Sequence, residues 1–260
     1  MESQARLYIV TGKGGVGKST YSLALTQALK NKGIKAKTLF FQSSTLDEST
    51  KAAVNDEIHL NLLETVTEYV GKKMRSMTIA SWVAKAPFFK SLLHVIPGFN
   101  FVLYLGKTID LLDKDPELVL VLDAPASGHA LTMLSATHHF KQLFNLGMLK
   151  EDTLKMHQFM LNPNNVEITI LALPGALATH EALELKESLK SLEYQNVEIV
   201  LNNSLQPLFE QTDLPHSLQE KVRLEKAFYK ENEHSYSKVI EHFTTNDQQK
   251  IQDLISGELQ

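Results

Sequence analysis

An α/β fold follows from three features of the chain: a doubly wound, mainly parallel sheet of the phosphate-loop kind, flanked by helices and carrying an apolar helical insertion. The first feature is Thr11-Gly12-Lys13-Gly14-Gly15-Val16-Gly17-Lys18-Ser19-Thr20, which fits G-x-x-x-x-G-K-[ST] with a strand pattern before it and a helix pattern after it. The second is a series of short, continuous apolar runs, each suited to a parallel strand covered on both faces. The third is Leu118-Val119-Leu120-Val121-Leu122, which ends in Asp123 and so puts a carboxylate at the ligand-binding edge of the sheet.

Taken in order, Leu7-Tyr8-Ile9-Val10 reads as the first strand and the glycines from Gly12 to Gly17 as the turn that lets backbone N–H groups face a polyphosphate. Lys18 is placed to neutralise the β and γ phosphates and Ser19 to put its hydroxyl on Mg²⁺, with the positive end of the following helix aimed at the anion. Leu23, Ala24, Ala28 and Leu29 recur at helical spacing until Gly33 stops them. Thr38-Leu39-Phe40-Phe41 is a second buried strand, left through Gln42-Ser43-Ser44-Thr45-Leu46-Asp47.

Residues 55–113 read as helical and unusually apolar, including Met74, Met77, Trp82, Phe88, Phe89 and Leu92, with breaks at Pro87 and Pro97-Gly98. One crossover helix would be enough between parallel strands, so the length implies an added helical layer, joined by a second helical stretch over 131–161. This layer is either core against the sheet or a groove for an apolar helix, whose methionines and aromatics adapt to varied partners. His138-His139 reads as helix surface, because a metal pair on a helix needs a spacing of three or four. Glu167 to Leu173 and Glu198 to Leu201 are further strands, and a helix is expected to start near Thr179 as N-cap. Gln219 to Phe243 reads as a charged helical stretch, and Ile251, Leu254 and Ile255 mark a short last helix.

The whole, 1–260, is the size of one domain, with 55–113 and 131–161 as a helical subdomain inside it. A net charge of -4 gives no general attraction to nucleic acid or anionic lipid. The absence of cysteine removes disulfides, thiolate metal sites and a cysteine nucleophile, and fits a cytoplasmic protein. The start of the chain carries no signal-peptide pattern, and no run approaches the roughly 18 apolar residues of a membrane span.

Lys13, just after the first glycine, resembles the deviant Walker A signature K-G-G-x-G-K-[ST] of the MinD/ParA, nitrogenase iron-protein and arsenite-pump ATPases. Asp123-Ala124-Pro125-Ala126-Ser127-Gly128-His129-Ala130-Leu131 is similar to switch II of one branch, the arsenite-pump and tail-anchored-protein-targeting ATPases, usually written D-T-A-P-T-G-H-T-L. The run Pro174 to Leu185 and the strand ending in Asn202 fit the same family, so the resemblance extends over 5–205.

The resemblance implies an ATP- and Mg²⁺-dependent dimeric ATPase. Lys13 would reach the neighbouring subunit's nucleotide, Asp123 would serve magnesium and water, Gly128 would be the γ-phosphate hinge, and Asn202 would hydrogen-bond adenine. His129 matches the motif histidine, with no role assigned; taken alone it reads as structural. Taken alone, Lys13 is a solvated loop lysine and Asn202 a turn residue. The dimer could be homo- or heteromeric, and its partner an apolar helix or membrane protein. Switch I departs from the family: its aspartate falls at Gln42, or at Ser43 or Ser44, none of them acidic, and the next carboxylate is Asp47. A nucleotide-gated binding subunit with little hydrolysis is therefore the alternative, and a MinD/ParA-like positioning ATPase a weaker one.

Overall fold

The computed structural model describes residues 4–41, 56–76, 78, 85–86, 95–143, 148–211, 213–232, 234–242 and 248–259. Seven strands form one sheet: β1 (Leu7–Gly12), β2 (Ala36–Phe41), β3 (Glu57–Leu60), β4 (Val119–Ala126), β5 (Val166–Ala172), β6 (Val197–Ser204) and β7 (Lys238–Glu241). They lie in the order β3-β2-β4-β1-β5-β6-β7, with every pairing parallel. The described α-helices are α1 (Lys18–Asn31), α2 (Leu62–Met74), α3 (Phe99–Lys114), α4 (Ser127–Leu143), α5 (Met148–Leu161), α6 (Ala176–Ser191), α7 (His216–Glu231) and α8 (Gln248–Glu258). The chain leaves β1 for β2 and β3 on one side, returns to lay β4 beside β1, and then builds outward on the other side. That reversal makes the C-terminal edge of β1 and β4 the switch point where open α/β sheets hold ligands.

Strand alternation divides the core in two. Leu7, Ile9, Leu120, Leu122 and Ile168 face Leu105 of α3, Met133 of α4 and Leu185 of α6. Val10, Val121, Leu171 and Val200 face Tyr21 and Ala24 of α1 and Ile255 of α8. Arg6 anchors the first strand by donating to the carbonyls of Leu112 and Asp115 at 2.6 and 2.8 Å, satisfying the C-terminal end of α3.

Several expectations need correction. Residues 57–60, expected within a helical stretch, form β3 at the sheet edge, where His59 stacks on Phe40 with ring centroids 4.9 Å apart. Lys238–Glu241 is β7, not the end of a charged helix. Both are four-residue edge strands, too short for their alternation to stand out from charged surroundings. Helix α6 begins at Ala176, a turn before Thr179, because Gly175 supplies the non-helical start. Within 55–113 and 131–161, α3 and α5 send Tyr104, Leu112 and Met160 into the sheet's own core, so this much of the helical layer is a cover for the sheet. Gln42, Ser43, Ser44, Asp47 and the apolar residues Met77, Trp82, Phe88, Phe89 and Leu92 lie outside the described residues. Among the described residues, no helix is long and apolar enough to cross a membrane.

Candidate nucleotide site

The site grows from the end of β1. Gly12 has φ 144 and passes so close to β5 that a Cβ there would sit 2.1 Å from the Leu171 carbonyl oxygen. Any side chain would push the loop off the sheet. The pairing of β1 with β4 slips between Val10 and Gly12, which lifts the chain out of the ladder where the loop begins. Gly15 and Gly17 then take φ of 83 and 92, and Gly17 caps α1 without a side-chain hydrogen bond. With no capping side chain in the way, the first N–H groups of α1 are presented to an anion. Lys18 crosses the loop and donates to the Lys13 carbonyl at 3.1 Å.

Asp123 stands on the neighbouring strand, in register with Val10 of β1 and Phe40 of β2. Ser19 donates to its Oδ2 at 2.5 Å, whereas Oδ1 is buried with no hydrogen-bond partner. Burial raises the Asp123 pKa above the usual carboxylate value, and the Ser19 hydrogen bond and the Lys18 charge offset only part of that rise. An orphaned carboxylate oxygen next to a serine hydroxyl is a hard-oxygen pair that fits Mg²⁺. Ser19 and Asp123 are thus brought together as expected, with Lys18 at the same edge. Among the described residues, no cluster of His, Asp and Glu offers a metal three ligands.

Thr11 ties the loop to the following segment, donating to the Pro125 carbonyl at 3.0 Å. Beyond Ala126 the chain turns directly into α4, so Gly128 and His129 fall in its first turn, both exposed. Gly14 is open to solvent, Val16 is buried and Thr20 half-buried in the first turn of α1.

Two residues make contacts that sequence reasoning did not foresee. Lys13 pairs with Glu181 of α6 at 2.9 Å, within its own chain. Glu181 stands in the family-like stretch, but nothing local signals a partner 168 positions away. Asn202 is 9% exposed and donates Nδ2 to the Val16 carbonyl at 2.8 Å. One donor of the amide expected to hydrogen-bond adenine, or to sit in a turn, is thus engaged with the loop. His139 is exposed on α4 as expected, and His138 is half-buried and packs edge-on against His157 of α5 with ring centroids 5.6 Å apart.

Two named relatives align along most of the chain: ATPase BagA of Mycobacterium tuberculosis (strain H37Rv) and "Putative ATPase Mb3704" of Mycobacterium bovis. Each is 25% identical over 255 residues, covering 85% of this chain and 71% of the relative. The pattern of the anion-transporting ATPase (ArsA ATPase) family matches residues 5–150, which contain the loop, the Asp123 strand and the turn into α4. With that match covering more than half its length, the chain belongs to the anion-transporting ATPase family.

Proposed function

We propose that the chain binds ATP with Mg²⁺ and hydrolyses it as a dimer, coupling nucleotide state to an apolar partner or a transporter. The observation that carries this reading is the meeting of Lys18, Ser19 and Asp123 at one edge of the sheet, with an unpartnered carboxylate oxygen among them. Ser19 and Asp123 would hold Mg²⁺, which would supply charge neutralisation to the phosphate oxygens. Lys18 leaves the Lys13 carbonyl to meet those oxygens, and the N–H groups of the loop and of α1 take the rest. Water attacks the γ phosphorus, the bond to the bridging oxygen breaks, and ADP and phosphate leave. Lys13 exchanges Glu181 for the neighbouring subunit's phosphates, and the junction at Gly128 reports the γ-phosphate to α4.

The coupling role is supported by the apolar composition of the helical stretch, with Met77, Trp82, Phe88, Phe89 and Leu92 in its sequence. A MinD/ParA-like positioning role is the weaker alternative, and α8 does not supply a membrane-binding face for it, because Ile251 and Ile255 pack into the core beside α1. We place the protein in the cytoplasm on its cysteine-free composition.

The test is steady-state ATP turnover with Mg²⁺, together with the mass in solution with and without ATP. Turnover that Asp123→Asn abolishes and a mass that doubles with ATP are the expected results. The nucleotide-gated binding role stands as a second reading because Gln42-Ser43-Ser44 offers no carboxylate to orient water. Tight ATP binding without turnover would select it.

A further inference from the structure

The end of β6 turns two adjacent amides in different directions. Asn202 reaches the phosphate loop at Val16, whereas Asn203, left-handed at φ 68, pairs through Oδ1 with His242 Nδ1. The pairing of β6 with β7 slips between Leu201 and Ser204, so the divergence is built into the strand as an irregularity. Asparagine is among the few side chains that tolerate this left-handed backbone. One residue beyond the Val16 carbonyl, a Cβ on Gly17 would lie 2.6 Å from Asn202 Nδ2, so the amide sits against a position open only to glycine.

We infer that Asn202 is a positioning residue for the phosphate loop, acting on phosphate binding whatever contact its remaining amide atoms make with a base. In a planar trans peptide the C=O and N–H groups point in opposite directions. Asn202 holds the Val16 carbonyl toward β6, and so holds the Gly17 N–H away from β6, toward the phosphate side of the loop. The next peptide is held in turn, because Tyr21 N–H donates to the Gly17 carbonyl at 3.0 Å and thereby sets the Lys18 N–H. Two donors at the junction of loop and helix are thus preset by one bond from β6 and one from α1. Preset donors strengthen anion binding because they do not reorganise when the ligand arrives.

This inference rests on the nucleotide-site reading, and the experiment separates the two. Mg²⁺-tripolyphosphate, which has no base, and Mg²⁺-ATP are titrated into wild type, Asn202→Ala and Asn202→Leu by calorimetry, with melting curves for each. Asn202→Leu keeps the side-chain volume, loses the donor and adds no charge, and the melting curves show which variants stay folded. Both variants are expected to bind both ligands roughly tenfold more weakly, by the same factor, as expected for a lost hydrogen bond with the buried carbonyl left unpaired. With ¹⁵N-glycine labelling, the Gly17 amide resonance of the free protein is expected to move in both variants while that of Gly33 stays, a readout that a general loss of stability would not give.

Unchanged tripolyphosphate affinity with weakened ATP would overturn the inference and leave Asn202 a base reader. Unchanged affinity for both ligands would overturn it too, as would a wild type that binds ATP but not tripolyphosphate. A wild type that binds neither overturns the nucleotide site itself.

Discussion

Asp123 is held in a conformation that suits a cation more than it suits the free protein. Its Oδ1 is buried without a partner and burial raises its pKa, so in the ligand-free protein the ionised carboxylate costs stability. An acid whose folded pKa is raised contributes most below its unfolded pKa, and that contribution is lost as pH rises through the folded value. Asp123→Asn removes the cost. Its expected effect at neutral pH is a ligand-free protein with a higher melting temperature, with Mg²⁺-dependent turnover lost. A ligand-free variant that melts below wild type would contradict this account. Lys13 and Glu181 present a smaller quantity, since their side chains are 58% and 37% exposed and such pairs contribute about 1 kcal/mol or less. Glu181→Gln frees Lys13 without removing it. ATP-promoted dimerisation, read by sedimentation at several protein concentrations, is expected to tighten by no more than about fivefold. Weakened association would show that Glu181 itself serves the interface.

Helix α6 shows what can and cannot be read from the chain. Its buried stripe of Ala182, Leu185 and Leu189 is plain in the spacing, yet its start was placed a turn late because Thr179 has the side chain of a cap. The helix starts instead at Gly175, and Thr179 is buried in its second turn with Oγ1 unpartnered among the described residues. Thr179→Val keeps the shape and removes the unsatisfied hydroxyl. A gain of about 1 kcal/mol is expected in chemical denaturation, and a loss would mean that the hydroxyl has a partner in solution. The central strands were legible because they are covered on both faces and so uniformly apolar, as in Leu118 to Leu122. The edge strands β3 and β7 were not, because only one of the four side chains in each is buried and four residues carry little alternation. At the site, Gly12 to Ser19 and Asp123 were legible because local spacing alone encodes the loop and the strand end. The Asn202 bond to Val16 was not, since a contact across 186 positions depends on how β6 lies beside the loop.

Across the whole sheet, the C-terminal edge carries the phosphate loop and the opposite end of β5 and β6 carries a pair of acids. Glu167 and Glu198 lie on adjacent strands on the α1 side, with Tyr8 of β1 beside Glu167 and Thr169 donating to Glu198 at 3.1 Å. Burial of Tyr21 of α1, and then the charges of Glu198 and Glu167, raise its pKa far above the ordinary value, with a Thr169 hydrogen bond offsetting part of the rise. Glu167 is itself raised from 4.5 to about 7, first by burial and then by the charge of Glu198. The folded protein therefore binds a proton that the unfolded chain has released between these values. Stability from this group is full below pH 4.5 and is lost as pH rises through about 7. Wild type is expected to melt lower at pH 8 than at pH 5.5 by this share, on the order of 1 kcal/mol once partial solvent screening is allowed for. Glu167→Gln should raise the melting temperature at pH 8 by about 2–4 °C and flatten the step near pH 7, while ATP turnover is unchanged. Asp123→Asn should leave that step in place, because the two carboxylates share no hydrogen-bond partner and β1 stands between them, with Asp123 in register with Val10 and Glu167 with Tyr8. A Glu167→Gln protein with the wild-type pH profile would show that Glu198, or a group on another element, carries the proton instead.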